Sequence, residues 1–152
     1  MSEVNGGLLA GKYRVETSLG RGGMAEVYKV WDPDRRATVA IKVLHEFLAE
    51  DPVFLARFQR EARTLAKLEH PNIVRFFQFE HVGELAFILM EFIDGTTLSR
   101  VRNRLAQPLN PAQILWVMQP ICAALHFAHG KGLVHCDIKS GNIMLEKSGK
   151  IL

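Results

Sequence analysis

Residues Gly20-Arg21-Gly22-Gly23-Met24-Ala25 fit the pattern G-x-G-x-x-[GA], and what flanks them limits the fold more than any other stretch does. The pattern alone serves two unrelated backbone arrangements that approach phosphate. In one of them a buried parallel strand enters the loop and a helix leaves it. Here Arg14, Val15 and Glu16 alternate before the loop, and Glu26-Val27-Tyr28-Lys29-Val30-Trp31 follow it. These are strand formers with a period of two, so no helix opens at the glycines and the dinucleotide arrangement drops out. The glycines become a hairpin tip. Such a tip is either an ordinary flexible turn or a cover that lays backbone N–H groups over phosphates, since no Cβ holds the chain away.

The alternation extends from Tyr13 and Val15 to Val39, Ile41 and Val43, with a turn at Asp32-Pro33-Asp34, which predicts three short antiparallel strands. Asp51-Pro52 supplies an N-cap with proline at the first helical position. Phe54, Leu55, Phe58, Ala62, Leu65 and Leu68 then recur at helical spacing until His70-Pro71-Asn72. Two more strands are expected over Ile73–Phe79 and Leu85–Phe92. Beyond Asp94-Gly95 the pattern predicts a short basic helix over Thr97–Ala106. A longer one follows over Pro111–His129, with Ile114, Leu115, Met118, Cys122 and Leu125 on one face, other apolar residues such as Trp116, Val117, Ile121 and Phe127 on further sides, and a bend at Pro120. Leu133–Leu152 reads as a loop and a hairpin turning at Lys147-Ser148-Gly149. The result is an α+β chain. Residues 1–12 form an extension, 13–92 a five-stranded lobe with one helix, and 93–152 the beginning of a helical lobe.

A length of 152 residues with 48% apolar and 23% charged side chains suits one folded core. The excess of positive charge is only +3 and is scattered. Arg57, Arg60, Arg63 and Lys67 sit at helical spacing, the wet face of one helix, so a nucleic-acid partner is not expected. Two cysteines make no disulfide framework and no zinc spacing, which points to a reducing, cytoplasmic setting. Residues 1–12 resemble no leader, and no apolar run approaches the ~20 residues of a membrane span.

Val39-Ala40-Ile41-Lys42 places a lysine among inward-facing apolar residues on the third strand. It either reaches solvent at an edge or is held inside by an anion. Glu61 on the next helix could pair with it and fix the ammonium on phosphate oxygens. Otherwise Glu61 is a solvated helix residue with Lys67 or Arg57 beside it. The sharpest pattern is His135-Cys136-Asp137-Ile138-Lys139-Ser140-Gly141-Asn142. In a loop its carboxylate, lysine and amide converge. The carboxylate can accept a hydroxyl proton, the lysine can neutralise a transferring phosphoryl group, and the amide oxygen can bind Mg²⁺.

Taken in this order, the glycine tip, Val39–Lys42, Glu61 and H-x-D-x-K-x-x-N at His135–Asn142 resemble the eukaryotic-like protein kinases from about Tyr13 to Leu152. Lys139, two residues after Asp137, is similar to the serine/threonine branch, and the "GRGGMAEVY" and "HPNIV" segments are similar to its bacterial members. The resemblance implies a kinase-like fold, ATP and Mg²⁺ as cofactors, and γ-phosphoryl transfer to a protein serine or threonine. It implies that Leu19, Val27, Ala40 and Met144 sandwich adenine, with Met90 as gatekeeper and backbone groups of Glu91 and Ile93 facing the base. Gly20, Gly22 and Gly23 would cover the phosphates, and Lys42, paired with Glu61, would hold their α and β oxygens. Asp137 would be the base, Lys139 the γ-phosphate contact and Asn142 a Mg²⁺ ligand.

Three departures qualify this. Ala25 stands for the third glycine. Cys136 stands where the family has an arginine that receives a phosphorylated activation loop, so control through that contact is not expected; the thiol reads as a small packing residue. The family's D-F-G would follow about three residues after Leu152, so the 152 residues by themselves are expected to be inactive or nearly so. Two other readings keep the fold and change the role: a non-catalytic binding or regulatory module, and a small-molecule phosphotransferase.

Overall fold

The computed structural model describes residues 7–152, except for the side chains of Arg57 and Glu61. The chain divides into two compact units, one running to Lys67 and adding Arg75–Phe92, the other made of Leu68–Val74 and Ile93–Leu152.

The first unit is an antiparallel sheet with two helices. Its strands are β1 (Leu8–Leu9), β2 (Tyr13–Arg21), β3 (Ala25–Asp32), β4 (Ala37–Leu44), β5 (Phe76–Val82) and β6 (Leu85–Glu91), in the spatial order β1-β2-β3-β4-β6-β5. The alternation that predicts the strands also assigns their faces, because cross-strand partners share a face. Tyr28 lies opposite Ile41 and Val30 opposite Val39. With Leu9, Tyr13, Val43, Phe87 and Leu89 they form one buried cluster. The opposite face carries Ala25, Leu44 and Ala86, on which α1 (Glu46–Ala49) and α2 (Pro52–Leu65) pack through Ala49, Phe54, Leu55 and Phe58. As predicted, Asp51 caps α2, its carboxylate accepting from the N–H groups of Val53 and Phe54, with Pro52 beginning the helix. Arg60, Arg63 and Lys67 are exposed, in keeping with a wet basic face.

Three features differ from expectation. Leu8–Leu9, read as part of an extension, adds a sixth strand by pairing with Tyr13 and Arg14. The four-residue α1 is additional. The strand expected from Ile73 begins at Phe76, because His70–Asn72 closes a turn in which the Ile73 N–H bonds the His70 carbonyl.

The second unit holds β7 (Gly95–Thr97), α3 (Leu98–Arg104), α4 (Pro111–Gly130) and β8 (Met144–Glu146). The side chain of Asn110 and that of Gln113 cap α4 reciprocally. Val117 and Ile121 pack with Ile143 and Ile151, supported by Leu98, Leu125 and Leu145. Of the five apolar residues expected on one face of α4, Leu125 packs against this core, whereas Ile114, Leu115, Met118 and Cys122 are exposed; Val117, Ile121, Ala124 and Ala128 are buried. The helix is apolar around most of its circumference, so periodicity could not choose the face. The expected terminal turn is present, with Gly149 at a φ of 91° and Leu145 bridging Ile151. β7 has no counterpart in the sequence reading. It lies so close to β8 that a Cβ at Gly95 would sit 2.2 Å from the Leu145 carbonyl oxygen.

Candidate functional site

In the first unit the glycines do cap a hairpin. β2 ends at Arg21, β3 begins at Ala25, and the Gly22 N–H bonds the Ala25 carbonyl at 2.8 Å. Gly22 and Gly23 are exposed on this tip, and Gly20 lies at the end of β2 opposite Val27. Leu19 falls at a register irregularity of β2 and is 37% exposed. Val27 lies opposite Lys42, Lys42 opposite Ile88, and Ile88 opposite Phe79. One row across the sheet thus reads Gly20, Val27, Lys42, Ile88, Phe79. Two residues along on the same face, Ala40 pairs with Met90.

The Phe79 ring at the end of the Lys42 row meets Phe58 of α2 edge-on at 5.9 Å. Glu61 follows Phe58 by three residues, one helical turn, so the backbone places it on the helix that covers the lysine's face of the sheet. The side chain of Glu61, and hence the expected ion pair, lies outside the described residues. Lys42 itself is half-buried. Glu91 ends β6, its N–H bonding the Arg75 carbonyl at 2.8 Å.

In the second unit Ile93 is buried, and Met144 begins β8 opposite Thr97. Both backbone groups of Met144 are bonded to Leu152. The polar loop before β8 brings three predicted residues together. The Lys139 ammonium lies 2.8 Å from Asp137 Oδ2, and Asn142 Nδ2 donates to the same oxygen at 2.9 Å. Asn142 Nδ2 also donates to the Asp137 carbonyl at 2.9 Å, and the Asn142 N–H to the Lys139 carbonyl at 2.9 Å. These contacts hold the Asp137 carboxyl below the usual carboxylate range, first through Lys139, then through Asn142. The side chains of Asp137 and Lys139 are each 60% exposed. A charged acceptor therefore faces water or a ligand rather than a sealed core.

Two supports of this loop were not legible in the sequence. The His135 ring accepts the Asp137 N–H at Nδ1, 3.2 Å away, and the Ser99 N–H at the start of α3 bonds the Ser140 carbonyl at 2.9 Å. Between His135 and Asp137 the chain passes through Cys136 at a φ of 62°, a left-handed conformation unusual for a residue with a side chain. Cys136 is exposed, its thiol near the Val134 carbonyl, so the expectation of a packing residue is corrected.

The donor set around Asn142 is hard oxygen. With Nδ2 committed to Asp137, the amide has Oδ1 left to accept or ligate. The described residues contain no cluster of three or more His, Cys, Asp or Glu that could hold a metal ion. A site of one or two protein oxygens completed by phosphate and water fits Mg²⁺, which keeps much of its hydration.

Residues 13–152 match the family model of the protein kinase domain, and the chain belongs to that family. A probable serine/threonine-protein kinase of Streptomyces coelicolor is 40% identical over 147 residues, 94% of this chain and 22% of the relative. The probable serine/threonine-protein kinase PknB of Lactococcus lactis is 40% identical over 149 residues, 96% of this chain and 23% of the relative. The PknI kinase domain of Mycobacterium tuberculosis superposes with a TM-score of 0.84 at 32% identity, covering 96% of this chain and 60% of that one. The chain thus spans less than a quarter of the curated relatives named here. Among its described residues no helix is long and apolar enough to cross a membrane.

Proposed function

We propose that these residues form the ATP-binding and catalytic-loop portion of a serine/threonine protein kinase, transferring the γ-phosphoryl group of ATP to a protein hydroxyl. The observation that carries this reading is the Asp137 carboxylate held between the Lys139 ammonium and the Asn142 amide. Hydrogen bonds to its charged form keep Asp137 ionised, as an acceptor for a hydroxyl proton must be. Lys139 gives positive charge where charge grows on the transferring phosphoryl group. Asn142 Oδ1 would be a ligand to a Mg²⁺ ion, which when bound would supply neutralising charge to the phosphates.

On the sheet, Lys42 binds α and β phosphate oxygens with Glu61 as its counter-charge. The exposed tip at Gly20, Gly22 and Gly23 covers the phosphates, with the Gly22 N–H held by the Ala25 carbonyl. In the first unit Leu19, Val27 and Ala40 offer apolar contacts to the base, Met90 is the gatekeeper and Glu91 offers backbone groups to adenine; in the second unit the same roles fall to Met144, apolar, and Ile93, backbone. In this reading residues 13–92 are the smaller lobe and 93–152 begin the larger one, with the 68–74 turn belonging to the second by its packing. A cytoplasmic location accords with the reduced state proposed for both cysteines, which are free in the structure.

The 152 residues contain no D-F-G sequence. Expressed alone they should transfer phosphate well below ~1 s⁻¹, the bottom of the usual kinase range. The test of the reading is radiolabel transfer from ATP to a serine-containing protein by a longer protein that carries these residues within a whole kinase domain, with Asp137→Asn alongside. Equal transfer by both proteins refutes the role of Asp137, and no transfer to any hydroxyl refutes the reaction.

A further inference from the structure

The glycine tip has little to hold it. A Cβ at Gly20 or Gly23 would meet nothing within 4 Å, and the Met24 side chain is 60% exposed. Beyond the Gly22–Ala25 bond inside the hairpin, the hydrogen bonds that reach the tip among the described residues come from one residue just beyond β4. The His45 N–H donates to the Met24 carbonyl at 3.0 Å, and His45 Nε2 lies 2.8 Å from the Gly22 carbonyl oxygen. A carbonyl only accepts, so Nε2 carries the proton in this contact. His45 is also the N-cap residue of α1, yet its side chain makes no capping bond. Its ring is instead turned to Gly22 and stacked on Phe47, at 6.0 Å between centroids and 22° between planes.

We propose that His45 is a positioning residue for the glycine tip, its backbone and ring together pinning the tip so that its N–H groups stay ordered for a nucleoside triphosphate. This rests on the nucleotide reading above. The gain is entropic: exposed glycines lose more freedom on ordering than any other residue, and a bond made before the ligand arrives removes part of that cost. Two carbonyls of the tip, those of Gly22 and Met24, are turned towards His45. They are thereby withheld from phosphate, which they would repel.

The test compares His45→Ala and His45→Gln in a longer protein that carries these residues within a whole kinase domain, since glutamine can present an N–H at about the reach of Nε2. Mg-ATP affinity and KM are measured together with amide hydrogen exchange at Gly22 and His45 without nucleotide. The alanine variant should bind Mg-ATP about fivefold more weakly, the effect of one net hydrogen bond, with the loss falling on KM more than on kcat. It should also exchange faster at Gly22 and His45. The glutamine variant should recover most of both. Unchanged exchange and affinity in the alanine variant overturns the proposal, as does a folded glutamine variant no better than alanine. If wild-type protein binds no nucleotide, the nucleotide reading falls, and the exchange rates still decide whether His45 pins the tip.

Discussion

Asn142 grips Asp137 twice with one nitrogen, its Nδ2 lying 2.9 Å from both the carboxylate Oδ2 and the main-chain carbonyl of the same residue. The amide therefore sets the direction of the carboxylate and of its own oxygen at once. Asp137→Asn should lower phosphoryl transfer by at least about a hundredfold. The melting temperature should hold, because the side chain is largely exposed.

The charge state of Asp137 gives a pH prediction. Its carboxyl is held below the ordinary range by Lys139 and then Asn142, so the ionised form persists into acid and is lost only as pH falls through the depressed value. Lys139→Met should move the carboxyl back up towards the ordinary aspartate value of about 3.9. Carbon NMR titration of Asp137 reads this directly, and an unchanged midpoint would contradict the assignment.

Lys42 stands in the row with Gly20 and Val27. If it holds phosphate oxygens, Lys42→Met should weaken Mg-ATP binding by roughly ten- to a hundredfold, the range for bonds to a charged group. Glu61→Gln should cost less, since the ammonium would remain. Calorimetric titration distinguishes these from equal affinities, which would remove the lysine from the site.

A second pH effect belongs to stability. The fully buried Tyr13 donates its hydroxyl to Glu80, which also accepts from Gln78 Nε2 at 2.5 Å. Burial, then the bond to Glu80, pushes the phenol up to about 12. The native state thus holds the phenolic proton more tightly than the unfolded chain, whose value is about 10. The resulting stability is complete below about pH 10 and disappears as pH rises towards 12. Urea midpoints measured across this window should fall for wild type and change less for Tyr13→Phe.

Gly95 tests the close pairing of β7 and β8. Gly95→Ala forces a methyl against the Leu145 carbonyl and should destabilise the second unit by about 1–3 kcal/mol, read by thermal unfolding. A neutral substitution would mean the strands separate easily.

On α4, Leu115 and Trp116 are 68% and 51% exposed, beside Ile114 and Met118. A protein of these 152 residues should bind an apolar fluorescent dye, and Leu115→Lys with Trp116→Glu should bring the signal towards that of buffer. Unchanged dye binding would place the sticky surface elsewhere.

Much of this molecule is local and therefore legible in the chain alone. Period-two alternation marks β2, β3 and β4 and sorts Val39, Ile41 and Val43 from Lys42. Asp51-Pro52 starts α2, and strand formers on both sides make the glycines a hairpin tip. Asp137, Lys139 and Asn142 are close in sequence, so a single loop can bring them together. What required tertiary structure is what depends on distant neighbours. The two-residue β1 and three-residue β7 exist only because β2 and β8 offer them backbone partners. The buried face of α4 is chosen by Ile143 and Ile151, since a helix apolar on most sides carries no preference of its own. The ring of His45 finds Gly22 only once two hairpin strands and β4 lie side by side, because hydrogen bonds across a sheet join residues that sequence distance keeps apart.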